Sequence, residues 1–300
     1  NDISLYQKLL NLGISNYIVF PVTAPDLITA ISDVYAEPGR EKIGKITAVV
    51  GAKGGVGASA IAHNVALEVA EQSSADVLLV DLDVCFGTAT LDLDIEANQG
   101  LGEVLDQAER LDAAMLDRVL VKRGEHLCLL GTPPNLETDV TIDEFGIERL
   151  LETASSHIPH IVLDLPHLWA PWMRRAMAMA DRAVIVGTPE IGCLRNVATL
   201  MTQLKSIRPN DQSPVLALNQ IGLPGRQELT LREISSVLKV PSLIAIPYDA
   251  KTFNRAAASA KMLREVGPRK PVVKAIGEIA RAIAPPPERR KKRTRSLWRR

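Results

Sequence analysis

Between Gly51 and Ser59 the chain reads Gly-Ala-Lys-Gly-Gly-Val-Gly-Ala-Ser, four glycines, one lysine and one hydroxyl within nine residues. Glycines lack the Cβ that stops successive backbone N–H groups turning to one side, so such a loop can cradle phosphate oxygens. A helix starting at its end adds unpaired amides and the positive end of its dipole. Ser59 then stands where a hydroxyl can meet a phosphate-bound Mg²⁺. Two carboxylate positions complete the chemistry. Asp81 and Asp83 follow the apolar run Val77–Val80, and Asp164 follows Ile161–Leu163. An apolar run that ends in a carboxylate delivers an acid to the end of a buried strand. There it can hold the water shell of Mg²⁺ or orient an attacking water. A lone strand-end aspartate is commonly a helix cap; Ser59, Asp83 and Asp164 occurring together in this order are the stronger signal.

The elements that must position these residues are visible as short β-branched runs alternating with helical patterns. Strands are predicted at Lys45–Val50, Val77–Asp81, His126–Leu130, His160–Leu165, Arg182–Gly187, Pro214–Asn219 and Leu243–Pro247. Helical periodicity fills most gaps, as at Ser59–Glu71, Asp143–Ala154 and Leu194–Ile207. The alternation predicts an α/β fold with a doubly wound, mostly parallel sheet. The glycine loop then follows a strand and opens a helix, the context a phosphate loop requires. Upstream, residues 1–36 read helix, strand, helix (Leu5–Leu12, Asn16–Phe20, Asp26–Tyr35), too little to bury a core alone. The chain opens on Asn1, so this piece is expected to be the end of a truncated domain, joined by a linker at 37–44 to a nucleotide-binding domain at 45–284. A Pro-rich, basic tail follows at 285–300.

Charge and composition narrow the function classes. The chain has 35 basic and 35 acidic residues, but eight of the basic ones fall in Arg289–Arg300, which holds no acidic residue. The preceding 288 residues therefore carry 27 basic and 35 acidic side chains, a balance of −8. An acidic body disfavours DNA as a partner, because nucleic-acid affinity depends on neutralising phosphates. The tail, with Leu297 and Trp298 among its charges, suits an anionic membrane surface. No apolar run is long enough to span a bilayer. Three cysteines without metal-like spacing (Cys85, Cys128, Cys193) suggest a reducing cytoplasm.

One departure matters for mechanism. The common phosphate loop ends Gly-Lys-Ser/Thr, and here Ala58 takes the lysine position. The early Lys53 is retained, and Lys53-Gly54-Gly55-Val56-Gly57 resembles the deviant Walker A motif of the ParA/MinD ATPase superfamily. The resemblance runs from residue 45 to about 280. It implies ATP or ADP with Mg²⁺ as ligands, held by Lys53, Gly54, Gly55, Val56, Gly57, Ala58, Ser59 and Ala60. It also implies a sandwich homodimer in which Lys53 reaches the partner's nucleotide. Val77–Asp83 is similar to the switch I strand of that family, giving Asp83 the attacking water. His160–Pro166 resembles the Walker B strand, giving Asp164, with Ser59, the metal. Leu216–Asn219 and Ile244–Asp249 are similar to the segments that meet the base, which assigns Asn219, Pro247 and Asp249 to the nucleotide. The turn from Thr188-Pro189-Glu190 to Arg195 matches one expected at the dimer contact. With Ala58 in place of lysine, hydrolysis is expected to be weak or absent.

Asn16–Pro21 followed by Pro25-Asp26-Leu27 resembles the last strand and helix of a response-regulator receiver, with Phe20 where receivers carry a lysine. A degenerate receiver ahead of a loop reading Gly-Val-Gly-Ala-Ser resembles the CpaE/TadZ family. That resemblance implies a positioning role for Flp-type pilus assembly at the inner membrane, often at a cell pole. The implied partners are the assembly ATPase and the inner-membrane platform. The other readings are a MinD-like regulator of division or flagellar placement, a ParA-like DNA-partitioning ATPase and an amide-forming ATPase of similar fold. His157, His160 and His167 straddle a buried strand without a completing ligand and are expected to be structural. His63, one turn past Ser59, is expected to be packed, as are Met173, Met177 and Met179. Cys85 has no neighbour that would activate a thiol.

Overall fold

The computed structural model describes residues 44–97, 100–132 and 140–285. The receiver-like reading of 1–36, the linker at 37–44 except its last residue and the tail at 285–300 except its first lie outside the described residues. Eight strands form one sheet in the order β3-β4-β2-β5-β1-β6-β7-β8. They are β1 (Lys45–Gly51), β2 (Val77–Asp81), β3 (Val121–Arg123), β4 (Leu127–Leu130), β5 (His160–Leu165), β6 (Arg182–Gly187), β7 (Val215–Ile221) and β8 (Leu243–Pro247). All neighbours pair in parallel except the short β3, which runs antiparallel to β4 at the edge. The expected doubly wound α/β sheet is what the chain forms.

The longer helices are α1 (Ala58–Ser73), α5 (Glu144–Ser155), α6 (Pro171–Met179), α7 (Ile191–Ile207) and α11 (Pro271–Ile283). Shorter ones are α2 (Ala89–Asp92), α3 (Leu101–Asp106), α4 (Ala113–Val119), α8 (Leu231–Leu238), α9 (Ala250–Ala258) and α10 (Leu263–Val266). The central strands are apolar on both faces, as a sheet covered on both sides demands. α1 is buried from Ile61 to Ala70. Buried Glu68 on α1 takes two hydrogen bonds from Arg264 of α10, and Asn64 Oδ1 accepts from the Leu263 amide. These tie the helix behind the glycine loop to the C-terminal layer.

β1 lies between β5 and β6; the chain runs from β1 to β2 on one side and, after β5, crosses to β6 on the other. The crevice at the carboxyl end of the strands, where the winding reverses, is the binding position this topology offers. The Gly51–Ser59 loop leaves β1 at that crevice.

Candidate functional site

The loop is held from outside by its carbonyls. His167 Nδ1 donates to Gly51 O at 3.0 Å and Asn196 Nδ2 to Ala52 O at 2.9 Å. Gln220 Nε2 donates to Gly55 O at 3.3 Å and Asn219 Nδ2 to Val56 O at 2.8 Å. These donors come from the β5–α6 turn, from α7 and from β7. The Ala52 amide donates to Val186 O at 2.8 Å, and with these carbonyls occupied on the outer side the later amides of the loop are left for the cleft. Gly57 adopts φ 82°, and a Cβ there would sit 2.8 Å from Asn219 Nδ2, so only glycine satisfies both backbone and neighbour.

α1 begins without a side-chain cap and without an acid in its first turn. Elsewhere Asp112, Asp143, Thr230 and Asp249 cap α4, α5, α8 and α9. The first bond at the start of α1 runs from Ile61 N to Gly57 O at 3.1 Å, so the amides of Ala58, Ser59 and Ala60 precede it. A 16-residue helix opening this way onto a glycine loop presents free amides and its positive dipole end to an anion. The cleft before it measures about 260 Å³ and is lined by residues 53–60, Asp83, Leu165, Pro166 and His167.

The two switch aspartates have different posts. Asp83 lines the cleft, with its Oδ1 accepting from Phe86 N at 3.0 Å. Asp81 turns inward, and its oxygens accept from the Asp83 and Ala89 amides, each at 3.1 Å. Gly87 permits this turn, since a Cβ there would come within 2.6 Å of Asp83 O. Burial, then the charge of Asp164, pushes the Asp81 carboxyl up to about 6.

Asp164 is 2% exposed at the end of β5. Its Oδ2 lies 3.2 Å from His63 Nε2, while Oδ1 is buried with no hydrogen-bond partner. The other ring nitrogen of His63 lies 2.8 Å from Asp92 Oδ2 on α2. Burial opposes the charge on His63, but the hydrogen bonds to Asp164 and Asp92 outweigh it and raise the imidazole to about 10. Among the described residues, one group of potential ligands is close enough to share an ion: His63, Asp81 and Asp164, within 4.8 Å of one another. An orphaned buried carboxylate oxygen and the Ser59 hydroxyl on α1 are hard donors that fit Mg²⁺.

The expected residues therefore gather in part. The loop, Ser59 and Asp83 share one cleft, with Asp164 next to the lining residue Leu165. Asn219 sits directly beneath the loop, with its amide committed to Val56 O and its carbonyl to Gln220 N. Pro247 pairs beside Ile221 at the end of β8. The Asp249 carboxylate caps α9 through Thr252, the contact that lowers its pKa most. Lys53 points away from its own loop, with Nζ 3.2 Å from Glu190 Oε2. Glu190 also pairs with Arg226 at 3.3 Å, and Arg226 with Glu228 at 2.8 Å. Sequence reasoning passed over Asn196, Gln220, Asp92 and the polar role of His63. For His63 the available signal was its spacing of one helical turn from Ser59.

A glycine loop after the central strand, opening an uncapped helix beside a buried strand-end carboxylate, defines a P-loop α/β nucleotide-binding protein. A family model described as "AAA domain" (AAA_31) matches residues 44–216. The septum site-determining protein MinD of Synechocystis is 29% identical over 218 residues, 69% of this chain and 77% of that protein. An uncharacterized Mycobacterium tuberculosis protein is 28% identical over 245 residues, 80% of this chain but 65% of its own length. Among solved structures, a ParA family ATPase from Chlorobium tepidum superposes with a TM-score of 0.71 at 25% identity, covering 80% of this chain and 98% of that one. MinD from Pyrococcus horikoshii, solved with Mg-ADP, shares the fold at a TM-score of 0.69 and 21% identity, covering 80% and 95%. The chain belongs to the AAA_31 family, within the ParA/MinD superfamily of P-loop ATPases.

Proposed function

We propose that the chain is a nucleotide-gated dimeric positioning protein that binds ATP and Mg²⁺ and turns ATP over slowly or not at all. The observation that carries this reading is the glycine loop. Its carbonyls are fixed by four outside donors and its helix start is uncapped, but Ala58 supplies no ammonium within the cradle. Backbone amides of residues 53–60 bind the phosphates, Ser59 and Asp164 hold the metal, and Asp83 orients a water. Asn219, Pro247 and Asp249 frame the base at the ends of β7 and β8. Bound Mg²⁺ would supply charge neutralisation at the terminal phosphates.

Opposite unit charges at ~4 Å interact by about 4 kcal/mol at an effective dielectric of ~20, so the missing lysine weakens both binding and transition-state stabilisation. Lys53 is exposed and, among the described residues, pairs with Glu190 across the surface, from where it can cross to a second copy's nucleotide. ATP binding and dimerisation then raise each other. Ultracentrifugation with ATP, ADP and no nucleotide tests this. The parent should dimerise with ATP alone and Lys53→Ala should remain monomeric. A Lys53→Ala protein that dimerises like the parent would refute the shared site.

At the finer level the cargo is the Flp-type pilus assembly machinery, through its assembly ATPase and inner-membrane platform, as in CpaE/TadZ proteins. Residues 1–36 act as a receiver-like localising piece, and the tail at 285–300 rests on anionic lipid. The relatives named for septum-site determination favour a second reading, placement of the division site. The −8 balance of the body disfavours DNA partitioning. A fluorescent fusion decides between cargoes: polar foci lost on deletion of the pilus genes support the first, and unchanged foci support the second.

A further inference from the structure

His63 lies four residues after Ser59 on α1, which puts both on one face of the helix. Its side chain is fully buried, and both ring nitrogens meet carboxylates. Nδ1 meets Asp92 Oδ2 at 2.8 Å and Nε2 meets Asp164 Oδ2 at 3.2 Å. Carboxylate oxygens are acceptors, so each ring nitrogen faces a group to which an N–H can donate. Asp92 Oδ2 also accepts from Thr88 Oγ1 at 3.3 Å, which anchors the outer end. Asp81, the third acid, is committed to two backbone amides and leaves His63 to Asp92 and Asp164. The result is a carboxylate with one oxygen gripped and the other, Oδ1, buried and unpartnered.

We propose that His63 is the positioning residue of the metal site: Nε2–H holds one oxygen of Asp164 so that the other faces the hydration shell of the nucleotide-bound cation, and Nδ1–H braces the ring against Asp92. The inference rests on the nucleotide reading above and adds a residue to it. Partners that orient a metal-binding carboxylate through its free oxygen matter to metal affinity by about 10–100-fold. A side chain needed only to fill the interior would leave the metal requirement untouched when replaced by another of similar size.

Two neutral amides separate the contacts. His63→Gln carries an amide nitrogen at the reach of Nε2 and keeps the bond to Asp164, whereas His63→Asn reaches as far as Nδ1 and keeps only Asp92. The affinity of the full chain for a fluorescent ATP analogue is measured against Mg²⁺ concentration, with an EDTA baseline. His63→Asn should raise the half-maximal Mg²⁺ by about 10-fold or more, and His63→Gln by only a few-fold, with the Mg²⁺-free affinity of both within about two-fold of the parent. Equal half-points for parent and His63→Asn, or equal losses with and without Mg²⁺, would overturn the assignment. So would a lowered Mg²⁺ requirement, which would make the His63 ring a competitor of the metal. If His63→Asn does not fold, Asp92→Asn loosens the ring from its partly exposed end and should raise the half-point a few-fold; no change there overturns the proposal equally. A parent that binds no nucleotide overturns the nucleotide reading itself, an outcome distinct from a parent that binds with indifferent variants.

Discussion

The phosphate loop and the acid cluster behind it are neighbours built on opposite rules. The loop is held by three side-chain amides and an imidazole, each satisfying one backbone carbonyl. The cluster buries Asp81 and Asp164 with the single cation His63 and reaches outward only at Asp92. Backbone geometry can be written into a short run of glycines. A buried charge balance needs residues brought together from separate parts of the chain, and it fails sharply when one is lost.

That contrast can be broken most forcefully at Asp164. Asp164→Ala strands the buried imidazolium and should cost about 3–5 kcal/mol by urea unfolding, besides removing the Mg²⁺ dependence of nucleotide binding. A double-mutant cycle with His63→Asn, which gives up the contact to Asp164, should show strong coupling; additive costs would mean that the two are not a unit.

Asp81 probes the same cluster through pH. Its folded pKa of about 6 exceeds the ordinary carboxyl value of 3.8, so ionised Asp81 opposes folding above pH 6 and has no effect below about pH 4. Parent stability should therefore fall, as far as this group governs it, as pH rises from 4 to 6. Relative to the parent, Asp81→Asn should gain up to ~3 kcal/mol across that window in EDTA-containing buffer. A difference between the two proteins that does not vary with pH would place the titration elsewhere.

On the loop side, Asn219→Ala removes the donor to the buried Val56 carbonyl and should cost about 1–3 kcal/mol, with a parallel loss of nucleotide affinity at every Mg²⁺ concentration. A loss confined to Mg²⁺-bound conditions would put Asn219 with the cluster instead. Smallest of all, Lys53→Ala breaks an exposed ion pair and should change monomer stability by less than about 1 kcal/mol while abolishing ATP-dependent dimerisation.

The same division explains what was legible in the sequence. Val77–Asp81, His160–Leu165, Arg182–Gly187 and Leu243–Pro247 are strands with the expected bounds, because each is a β-branched or aliphatic run between clear breaks. β3 was missed: Val121–Arg123 is three residues at an antiparallel edge, with one apolar side chain to announce it. Ser59 and Asp83 meet in the cleft as their positions after a glycine loop and a buried strand predict. The His63 network could not be read the same way, since its partners lie 29 and 101 residues away and only the folded sheet brings them together. Asp249 shows the reverse limit, for a strand-end acid looks alike in sequence whether it meets a ligand or caps a helix.

The loop's four anchors have a kinetic consequence. They lie 116, 144, 163 and 165 residues from the carbonyls they hold, so the cradle closes only after most of the parallel sheet has assembled. Such long-range closures come late on a folding route, because chain entropy must be spent before they contribute. Nucleotide then has nothing to grip in the early ensemble and cannot hasten folding, but it must leave before the sheet can open. Its effect falls on the unfolding rate, so a loaded molecule is expected to outlast an empty one without having formed any faster.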